Sequence, residues 1–416
     1  MNKLLLLALV LGAPLAGCST SDDDEKSVQD LNVNSRYTIE SVHILGGRAA
    51  KISDPLRSEL DKVVGEKLDH SMLEKLAERI KKELHVSDVA VKVSKGTVPD
   101  HVVVNFEITK SHEQGFDLNI AKFLYHSKQG WSGAGDATTT VKGNAFSFGL
   151  VSDGDELVER FAGIRAKFER KEVGTDRLQL RFEFDSYHQQ WNGATLLAAD
   201  PLDIYRTRQV FKPEATLVIA RPLELSFGVS IARFRPSAAG AKTESSNAVV
   251  STLRYHQRWG SGHDVQEQEL TGAYALSAAT HVLETDPVYT RHSAHAHYRF
   301  RRNHSTVELG FLAGRLSGRA PLFDRFVLGN ATTLRGWNKF DLDPLGGSRV
   351  VHGSLEYRYR CFDVFYDTGA VWDRPQDREQ KQSLGVGFKK EGFQLAVAFP
   401  IRAGHADPVF YAGLNF

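Results

Sequence analysis

Strict alternation of apolar and polar residues dominates this 416-residue chain from about residue 115 to its end. The segment RLQLRFEFD places four apolar side chains on one face of an extended strand and polar side chains on the other. The apolar four are Leu178, Leu180, Phe182 and Phe184. The segments LELSFGVSIA and FQLAVAFPIR repeat the pattern. Because successive side chains of a strand point to opposite faces, the pattern predicts strands with one apolar and one polar face.

Two architectures satisfy such strands. A sandwich buries the apolar faces of two sheets against each other, whereas a membrane barrel turns them to lipid and keeps a polar interior. Charged residues occupy the polar face of nearly every segment, and a water-filled or plugged lumen tolerates them well. We therefore predict a membrane β-barrel over residues 113–416. Bacterial barrels have an even number of strands, so about sixteen antiparallel strands are expected.

The charge balance and the motif content exclude several classes of function. The chain carries 52 basic and 51 acidic residues, a net charge of +1, so no bulk field favours nucleic acid. Beyond the N-terminus, no apolar run reaches the roughly 18–20 residues of a membrane helix. A Gly-x-Ser-x-Gly elbow, a phosphate-binding glycine loop and paired zinc cysteines are all missing. We predict that the protein is not an enzyme and needs no cofactor.

Two histidines in the segment HSAHAHYR are candidate metal ligands. His295 and His297 share one strand face with Arg299, and imidazoles with this spacing can ligate a metal. The neighbouring guanidinium disfavours a cation, so we interpret both as lumen-lining side chains and predict no metal. The segment SDGDEL at 152–157 lacks the ligand spacing of a calcium loop and is predicted to be a turn.

The N-terminus is a targeting segment. A positive charge in MNK and an apolar stretch precede Cys18, and the residues Leu-Ala-Gly-Cys resemble a bacterial lipobox. Residues 1–17 are therefore predicted to be a lipoprotein-type signal peptide, with Cys18 as the lipidated residue. The alternative is an ordinary cleaved signal followed by a chance cysteine. Residues 18–35 contain an acidic run without aromatic residues, which is typical of a flexible tether.

Residues 36–112 have the pattern of a small α+β domain. A strand-like segment, YTIESVHILGG, precedes two helical patterns, and two further strand-like segments follow. The second helical pattern places five apolar side chains on one face. They are Leu73, Leu76, Ala77, Ile80 and Leu84. The order strand-helix-helix-strand-strand resembles a POTRA domain, a periplasmic module that binds unfolded or extended chains, and its sheet edge would suit strand addition by a client.

A long loop, GNATTLRGWNKFDLDPLGGSR (Gly329 to Arg349), carries one isolated arginine, Arg335. The next two predicted strands turn Glu356 and Asp367 toward the lumen. A guanidinium binds a carboxylate bidentately, and inside a confined lumen such a pair also sets geometry. We predict that the loop folds inward, that Arg335 latches it to these carboxylates, and that Gly336 lets its backbone approach the wall.

The last strand, VFYAGLNF, turns Phe410, Ala412, Leu414 and Phe416 to the lipid face. An aromatic residue at the end of such a strand resembles the C-terminal signal by which outer-membrane barrels are recognised for insertion. The alternative is a simple apolar end of a strand. We assign the signal to Phe410, Leu414 and Phe416.

The segments RFVLGN, LRGW, SLEYRY, VFYDTGAVW and FYAGLNF together resemble the C-terminal half of the bacterial outer-membrane assembly-factor, or surface-antigen, superfamily. This superfamily includes the Bam-complex barrel, its TamA relatives and the two-partner-secretion transporters. The resemblance implies POTRA domains, a sixteen-stranded barrel and a seam between its first and last strands. It also implies that Arg335, Gly336 and Trp337 form the tip of the inward loop, with Glu356 and Asp367 as its partners on the lumen wall.

The chain departs from the superfamily pattern in three respects. Trp337 stands where tyrosine or phenylalanine is more usual, only one POTRA-like domain fits before the barrel, and a lipobox is unusual. The resemblance therefore implies an accessory or specialised factor for outer-membrane protein assembly, insertion or translocation. Its expected partners are outer-membrane lipid, unfolded or extended client polypeptides and a periplasmic partner at the POTRA-like domain. The barrel is expected in the outer membrane and the N-terminal domain in the periplasm. The alternative is a passive outer-membrane channel in which the inward loop is a constriction.

Overall fold

The computed structural model describes residues 36–45, 52–84, 89–108, 114–141, 143–175, 177–238, 240–260, 266–402 and 407–415. The predicted signal peptide, the tether and Cys18 lie outside these residues. The chain divides into two compact units, residues 1–109 and residues 110–416. Each unit has its own core, and we describe them separately.

The first unit is a three-stranded sheet with two helices. Its strands are β1 (Thr38–Leu45), β2 (Val89–Lys95) and β3 (His101–Ile108), and its helices are α1 (Asp54–Lys62) and α2 (His70–Leu84). The strand order is β1-β3-β2, with β1 parallel and β2 antiparallel to β3. The predicted order of elements in this part of the chain is confirmed.

The core of this unit forms where the helices cover one face of the sheet. The five side chains predicted to share one face of α2 are all buried. They belong to one apolar cluster with sheet residues such as Ile39, Val104 and Phe106. α1 begins at the N-cap Ser53, whose hydroxyl accepts the amide of Leu56 at 3.4 Å, which satisfies one free donor of the first turn.

The second unit is a closed antiparallel barrel. Among the described residues its strands number sixteen and follow each other around the wall in chain order. They are β4 (Gln114–His126), β5 (Gly130–Val141), β6 (Asn144–Asp153), β7 (Arg160–Arg170), β8 (Leu178–Gln190), β9 (Tyr205–Ala220), β10 (Leu223–Pro236), β11 (Glu244–Trp259), β12 (Gln266–Ala279), β13 (Tyr289–Arg302), β14 (Ser305–Gly318), β15 (Arg349–Tyr359), β16 (Phe362–Trp372), β17 (Lys381–Lys390), β18 (Phe393–Ile401) and β19 (Val409–Leu414). The predicted strand number is confirmed.

The connections differ in length between the two ends of the barrel. At one end two-residue turns join strands, as at residues 221–222, 303–304 and 391–392. At the other end the connections are longer and contain the helices α3 (Gly193–Ala198) and α4 (Lys339–Leu342). They also hold three 3-10 turns, at His281–Leu283, Leu322–Asp324 and Pro375–Asp377. Short turns at one end and long loops at the other are typical of outer-membrane barrels.

The side chains alternate across the barrel wall as the sequence predicted. In β10, Phe227 is 58% exposed on the outside, whereas its neighbour Ser226 is buried and bonds Thr216 of β9 on the inside. The outer face is therefore apolar and the inner face polar, which the period of two in a strand requires. Within the described ranges, no helix is long and apolar enough to cross a membrane.

The barrel closes through a short ladder between its first and last strands, β4 and β19, which we call the seam. Four residue pairs form it, from Tyr411 with His126 to Leu414 with Phe123. The pairing of β12 with β13, by comparison, runs from Gln266 to Ala279. A bulge between Ile120 and Lys122 interrupts the pairing of β4 with β5 where the seam ends. The seam is thus the shortest ladder among the described barrel strands.

Candidate functional site

The connection between β14 and β15, residues 319–348, enters the barrel and packs against its inner wall. Several of its side chains are buried although they belong to a loop. They are Leu322, Phe326, Leu328, Asn330, Ala331, Leu334, Arg335, Trp337 and Lys339. Loops normally run over the surface, because a buried loop must satisfy its backbone groups inside the protein. The site is therefore built from the bonds that hold this inward loop.

A side-chain cap shapes the loop just before its arginine. The Asn330 side-chain oxygen accepts the backbone amides of Thr332 at 3.1 Å and Thr333 at 2.9 Å. The Thr332 and Thr333 hydroxyls bond the same oxygen at 3.0 and 2.8 Å. Asparagine favours this local turn because its short side chain replaces a backbone acceptor. The turn presents the next residues to the wall.

Arg335 sits between two carboxylates of the wall. Its Nε donates to Oδ2 of Asp367 at 2.8 Å and its Nη2 to Oδ1 at 3.0 Å, while its backbone amide reaches Oδ2 at 3.0 Å. Nη1 donates to Oε2 of Glu356 at 3.0 Å. Asp367 lies on β16 and Glu356 on β15, so two adjacent strands share one guanidinium. Each of the three guanidinium nitrogens thereby donates to a carboxylate oxygen.

The guanidinium also stacks on an aromatic ring, that of Phe365. The Cζ atom of Arg335 lies 3.6 Å from the ring centroid of Phe365, which is buried two residues before Asp367. A Cβ atom on Gly385 of the neighbouring strand would meet the Phe365 ring at 2.2 Å. The glycine therefore makes room for the ring, and the ring supports the cation.

Gly336 lets the loop backbone approach the wall closely. Its φ of +91° lies in the left-handed region that favours glycine. A Cβ atom there would meet the Cβ atoms of Ser383 at 3.1 Å and Ala398 at 3.2 Å. Its amide donates to the hydroxyl of Tyr411 in the last strand at 3.1 Å. The backbone conformation and the limited space both require glycine at this position.

Trp337, the residue after Gly336, also holds the loop against the wall. Its indole Nε1 donates to the carbonyl of Gln382 at 2.8 Å, so the polar atom of a buried ring is satisfied. The ring packs in an apolar cluster with residues such as Leu334 of the loop and Val350 of β15. The structure thus brings Arg335, Gly336 and Trp337 to the wall together with Glu356 and Asp367.

A second set of bonds holds the loop to the turn between β6 and β7. The ammonium of Lys339 donates to the carbonyls of Gly154 at 2.6 Å and Asp155 at 3.3 Å, and also to that of Leu157. The Asp155 carboxylate in turn accepts the backbone amide of Ala331 at 3.1 and 3.3 Å. Residues 154–159 join β6 to β7, and they include most of the segment predicted to be a simple turn. That turn is also a partner of the inward loop.

Burial and charge shift the pKa values of the loop cations in opposite directions. Burial disfavours the charged form of Arg335, but its bonds to Asp367 and Glu356 prevail and hold its pKa above the usual value. Burial lowers the pKa of Lys339 to about 8, even though Asp155 lies close. Burial likewise raises the pKa of Asp155. The arginine is a firmly charged anchor, and the lysine is held mainly by backbone carbonyls.

The candidate histidine His297 connects to the site through other charged side chains, since its partner Glu308 pairs with Arg358, which also contacts Glu356. His295 and His297 both lie on β13, and His297 pairs with Glu308 of β14 at 3.3 Å. Among the described residues, no group of three or more histidine, cysteine or acidic side chains is arranged to hold a metal ion. Phe410 and Leu414 alternate along β19 with buried residues, whereas Phe416 lies outside the described residues.

Sequence reasoning missed Phe365, Lys339 and Tyr411 as parts of the site. Phe365 and Tyr411 break the alternation, because each places an aromatic ring on the inward face of its strand. That exception was a readable signal for a contact inside the lumen. Lys339 follows the predicted tip closely, but no pattern in the sequence pointed to its partners.

Comparisons with known proteins find similarity to one family, mainly in the C-terminal part of the chain. A family model described as the Omp85 superfamily domain matches residues 266–401, which contain Arg335, Glu356 and Asp367. Over 266 residues the chain is 21% identical to the outer membrane protein assembly factor BamA of Nitratidesulfovibrio vulgaris. The match covers 56% of this chain and 32% of that protein, so the chain spans about a third of the length of this curated relative.

Two solved structures have a similar fold. BamA from Haemophilus ducreyi lacking POTRA domains 1–3 has a TM-score of 0.54 at 13% identity, covering 91% of this chain and 84% of that one. CdiB from Acinetobacter baumannii has a TM-score of 0.53 at 12% identity, covering 91% and 74%. At such identities the likeness concerns the fold alone.

Proposed function

We propose that this chain is an accessory or specialised member of the Omp85 superfamily, and that it inserts or translocates other polypeptides at the outer membrane. The observation that carries the proposal is the short seam beside a loop that enters the lumen and packs against its wall. A barrel built only as a pore gains nothing from a weakly paired seam. A barrel that offers a strand edge to a client needs one.

The first strand supplies such an edge. β4 is thirteen residues long, but it pairs with β19 only from Phe123 to His126. Before the bulge, Phe116, Leu118 and Ile120 point outward and are 69%, 72% and 58% exposed. Unpaired backbone is costly in lipid, so a client strand that pairs with this edge relieves that cost. The partners of the barrel are then outer-membrane lipid and extended clients.

The N-terminal unit, residues 36–112, serves in this proposal as a POTRA-like module in the periplasm. Its outer strand β2 pairs with β3 on one side, and its other edge can accept an extended chain or a periplasmic partner. Exposed Val93 and Val98 lie on and next to that strand. Variants that place proline in β2 should weaken client capture and leave the barrel folded.

Lipidation of Cys18 would tether this module to the membrane. The support is the lipobox-like sequence after the apolar stretch, in the part of the chain that the structure does not describe. Intact-mass analysis of the mature protein, without reduction, tests it. A diacylglyceryl mass on a chain that starts at Cys18 supports the anchor. A longer mature chain, or Cys18 joined to another thiol, contradicts it.

Depletion of the protein followed by quantitative proteomics of the outer membrane tests the function. Selective loss of one or a few barrels or exported proteins, restored by the wild-type chain but not by Arg335→Ala, supports assembly or translocation and names the client. Arg319→Ala is the matched control, because Arg319 lies in the same connection but away from the tip and makes an exposed ion pair with Asp203 of the connection between β8 and β9. An unchanged proteome with altered permeability to small solutes supports the passive channel instead.

A further inference from the structure

We propose that the tip of the inward loop, residues 329–339, clasps the seam from inside the barrel, with Tyr411 and Lys339 as its positioning residues. One hydrogen bond ties the tip to β19, and a set of bonds ties it to the side of β4. The role of this clasp in opening the barrel to clients rests on the proposed function, but the clasp itself is a property of the folded protein.

The tie to β19 is the bond from the Gly336 amide to the Tyr411 hydroxyl, 3.1 Å long. Tyr411 is itself a seam residue, because it pairs with His126 of β4. Its ring meets the His126 ring edge to face, with 4.8 Å between the centroids. A single side chain therefore touches the loop tip and both strands of the seam.

The tie to β4 runs through the neighbouring turns. Gln129, in the turn between β4 and β5, donates its side-chain amide to the carbonyl of Gly329 at 3.1 Å. Lys122 of β4 pairs with Asp153 at 2.7 Å and with Asp155 at 3.5 Å. Because Asp155 also accepts the amide of Ala331, a chain of bonds connects the first strand to the loop tip.

Lys339 strengthens this second connection, between the loop tip and the side of β4. Its side chain is 2% exposed, and its ammonium is surrounded by the carbonyls of Gly154, Asp155 and Leu157. The loop thus inserts a cation into the 154–157 turn, while that turn accepts an amide of the loop through Asp155. The contact is reciprocal, so moving either segment breaks the bonds of Lys339 and the bond of Ala331 together.

Apolar packing fills the space between the two ties. Leu124 of β4, Tyr411 of β19, Ala331 of the loop and Phe365 under Arg335 belong to one buried cluster. The cluster joins the seat of the arginine to both sides of the seam. Withdrawing the tip would expose this cluster and leave the four residue pairs of the seam without support from the lumen.

Hydrogen–deuterium exchange of the full-length protein in lipid nanodiscs tests the clasp. Tyr411→Phe removes only the hydroxyl and keeps the ring, and Lys339→Met removes the ammonium at similar length. We expect exchange in residues 114–126 and 407–415 to rise about fivefold in Tyr411→Phe, the factor for one hydrogen bond of ordinary net strength. Lys339→Met should raise it about tenfold or more, because several buried carbonyls lose their donor.

Lys212→Met is the control. Lys212 lies on β9, away from the seam, and pairs with Glu183 and Asp185 inside the lumen. This variant should leave exchange at the seam unchanged, and β9 and β10 should exchange at wild-type rates in both test variants. Exchange that stays at the wild-type rate at the seam, or rises equally around the barrel, overturns the clasp.

The clasp and the assembly function are tested by different experiments. Exchange is measured without any client, so a negative result removes the clasp and leaves the assembly function to the depletion experiment. If Lys339→Met does not fold, Tyr411→Phe decides alone, because it deletes one oxygen atom and keeps the packing of the ring.

Discussion

The side chain of Arg335 and the carboxylate of Asp367 meet edge to edge through two hydrogen bonds of 2.8 and 3.0 Å. The same carboxylate accepts the backbone amide of Arg335 at 3.0 Å. One aspartate therefore orients both the guanidinium and the main chain of the loop tip. A point charge without the planar fork could not be oriented in this way.

Replacing Arg335 should loosen the barrel. Arg335→Ala leaves the fully buried Asp367 without its cation, a change that typically costs about 3–5 kcal/mol. Arg335→Lys keeps the charge but loses the fork, so we expect an intermediate loss of about 1–3 kcal/mol. The temperature at which the purified barrel loses its compact mobility on unheated gels measures both. Arg319→Ala, which removes an exposed pair, should keep the wild-type temperature.

The two wall carboxylates, Asp367 and Glu356, should contribute unequally to the free energy of unfolding. Asp367 accepts three hydrogen bonds from Arg335, whereas Glu356 accepts one from it. Asp367→Asn should therefore cost roughly 2–4 kcal/mol and Glu356→Gln roughly 1 kcal/mol. Urea midpoints of the refolded barrel in detergent measure the difference. Equal losses, or no loss in either variant, would show that the arginine does not depend on these partners.

Gly336→Ala should destabilise the loop for two reasons at once. The new Cβ atom meets wall atoms at 3.1 to 3.2 Å, and the φ of +91° is strained for alanine. Gly174→Ala isolates the second reason, since its φ is +71° and no atom lies within 4 Å of its added Cβ. We expect a loss of about 1 kcal/mol at residue 174 and at least twice that at residue 336, measured as urea midpoints.

Lys339 should give the barrel a characteristic pH dependence. Burial lowers its pKa to about 8 from the ordinary value of 10.5. Between these values the unfolded chain holds the proton and the folded barrel does not, so the free energy of unfolding rises with pH. This contribution is complete above pH 10.5 and is lost as the pH falls through about 8.

A comparison of the wild type with Lys339→Met measures that contribution, because other titrating groups are common to both. From pH 7.5 to pH 10.5 the free energy of unfolding of the wild type should rise by roughly 1–3 kcal/mol relative to that of the variant. The neutral amine still has N–H donors for the carbonyls of residues 154–157. A relative loss over the same range would mean that the positive charge, rather than those donors, holds the loop.

Much of the barrel was predictable because its signal is local. Apolar and polar residues alternate in RLQLRFEFD and in similar segments, and the period of two fixes which face each side chain takes. The same parity is enough to place Glu356 and Asp367 on the lumen wall. The isolated arginine between a leucine and a glycine then indicates the loop that meets them.

The sequence by itself therefore determined the strands, their faces, and Arg335 with its two partner carboxylates. Only the tertiary structure decided which loops meet: that Lys339 fills the turn at 154–157, and that Gly336 reaches Tyr411. It also decided that Phe365 lies under the guanidinium, in the space that Gly385 leaves. The physical reason is that alternation reports the direction of each side chain within its own strand. Contacts between loops arise when the sheet closes and brings β19 beside β4, a long-range event that no local pattern encodes.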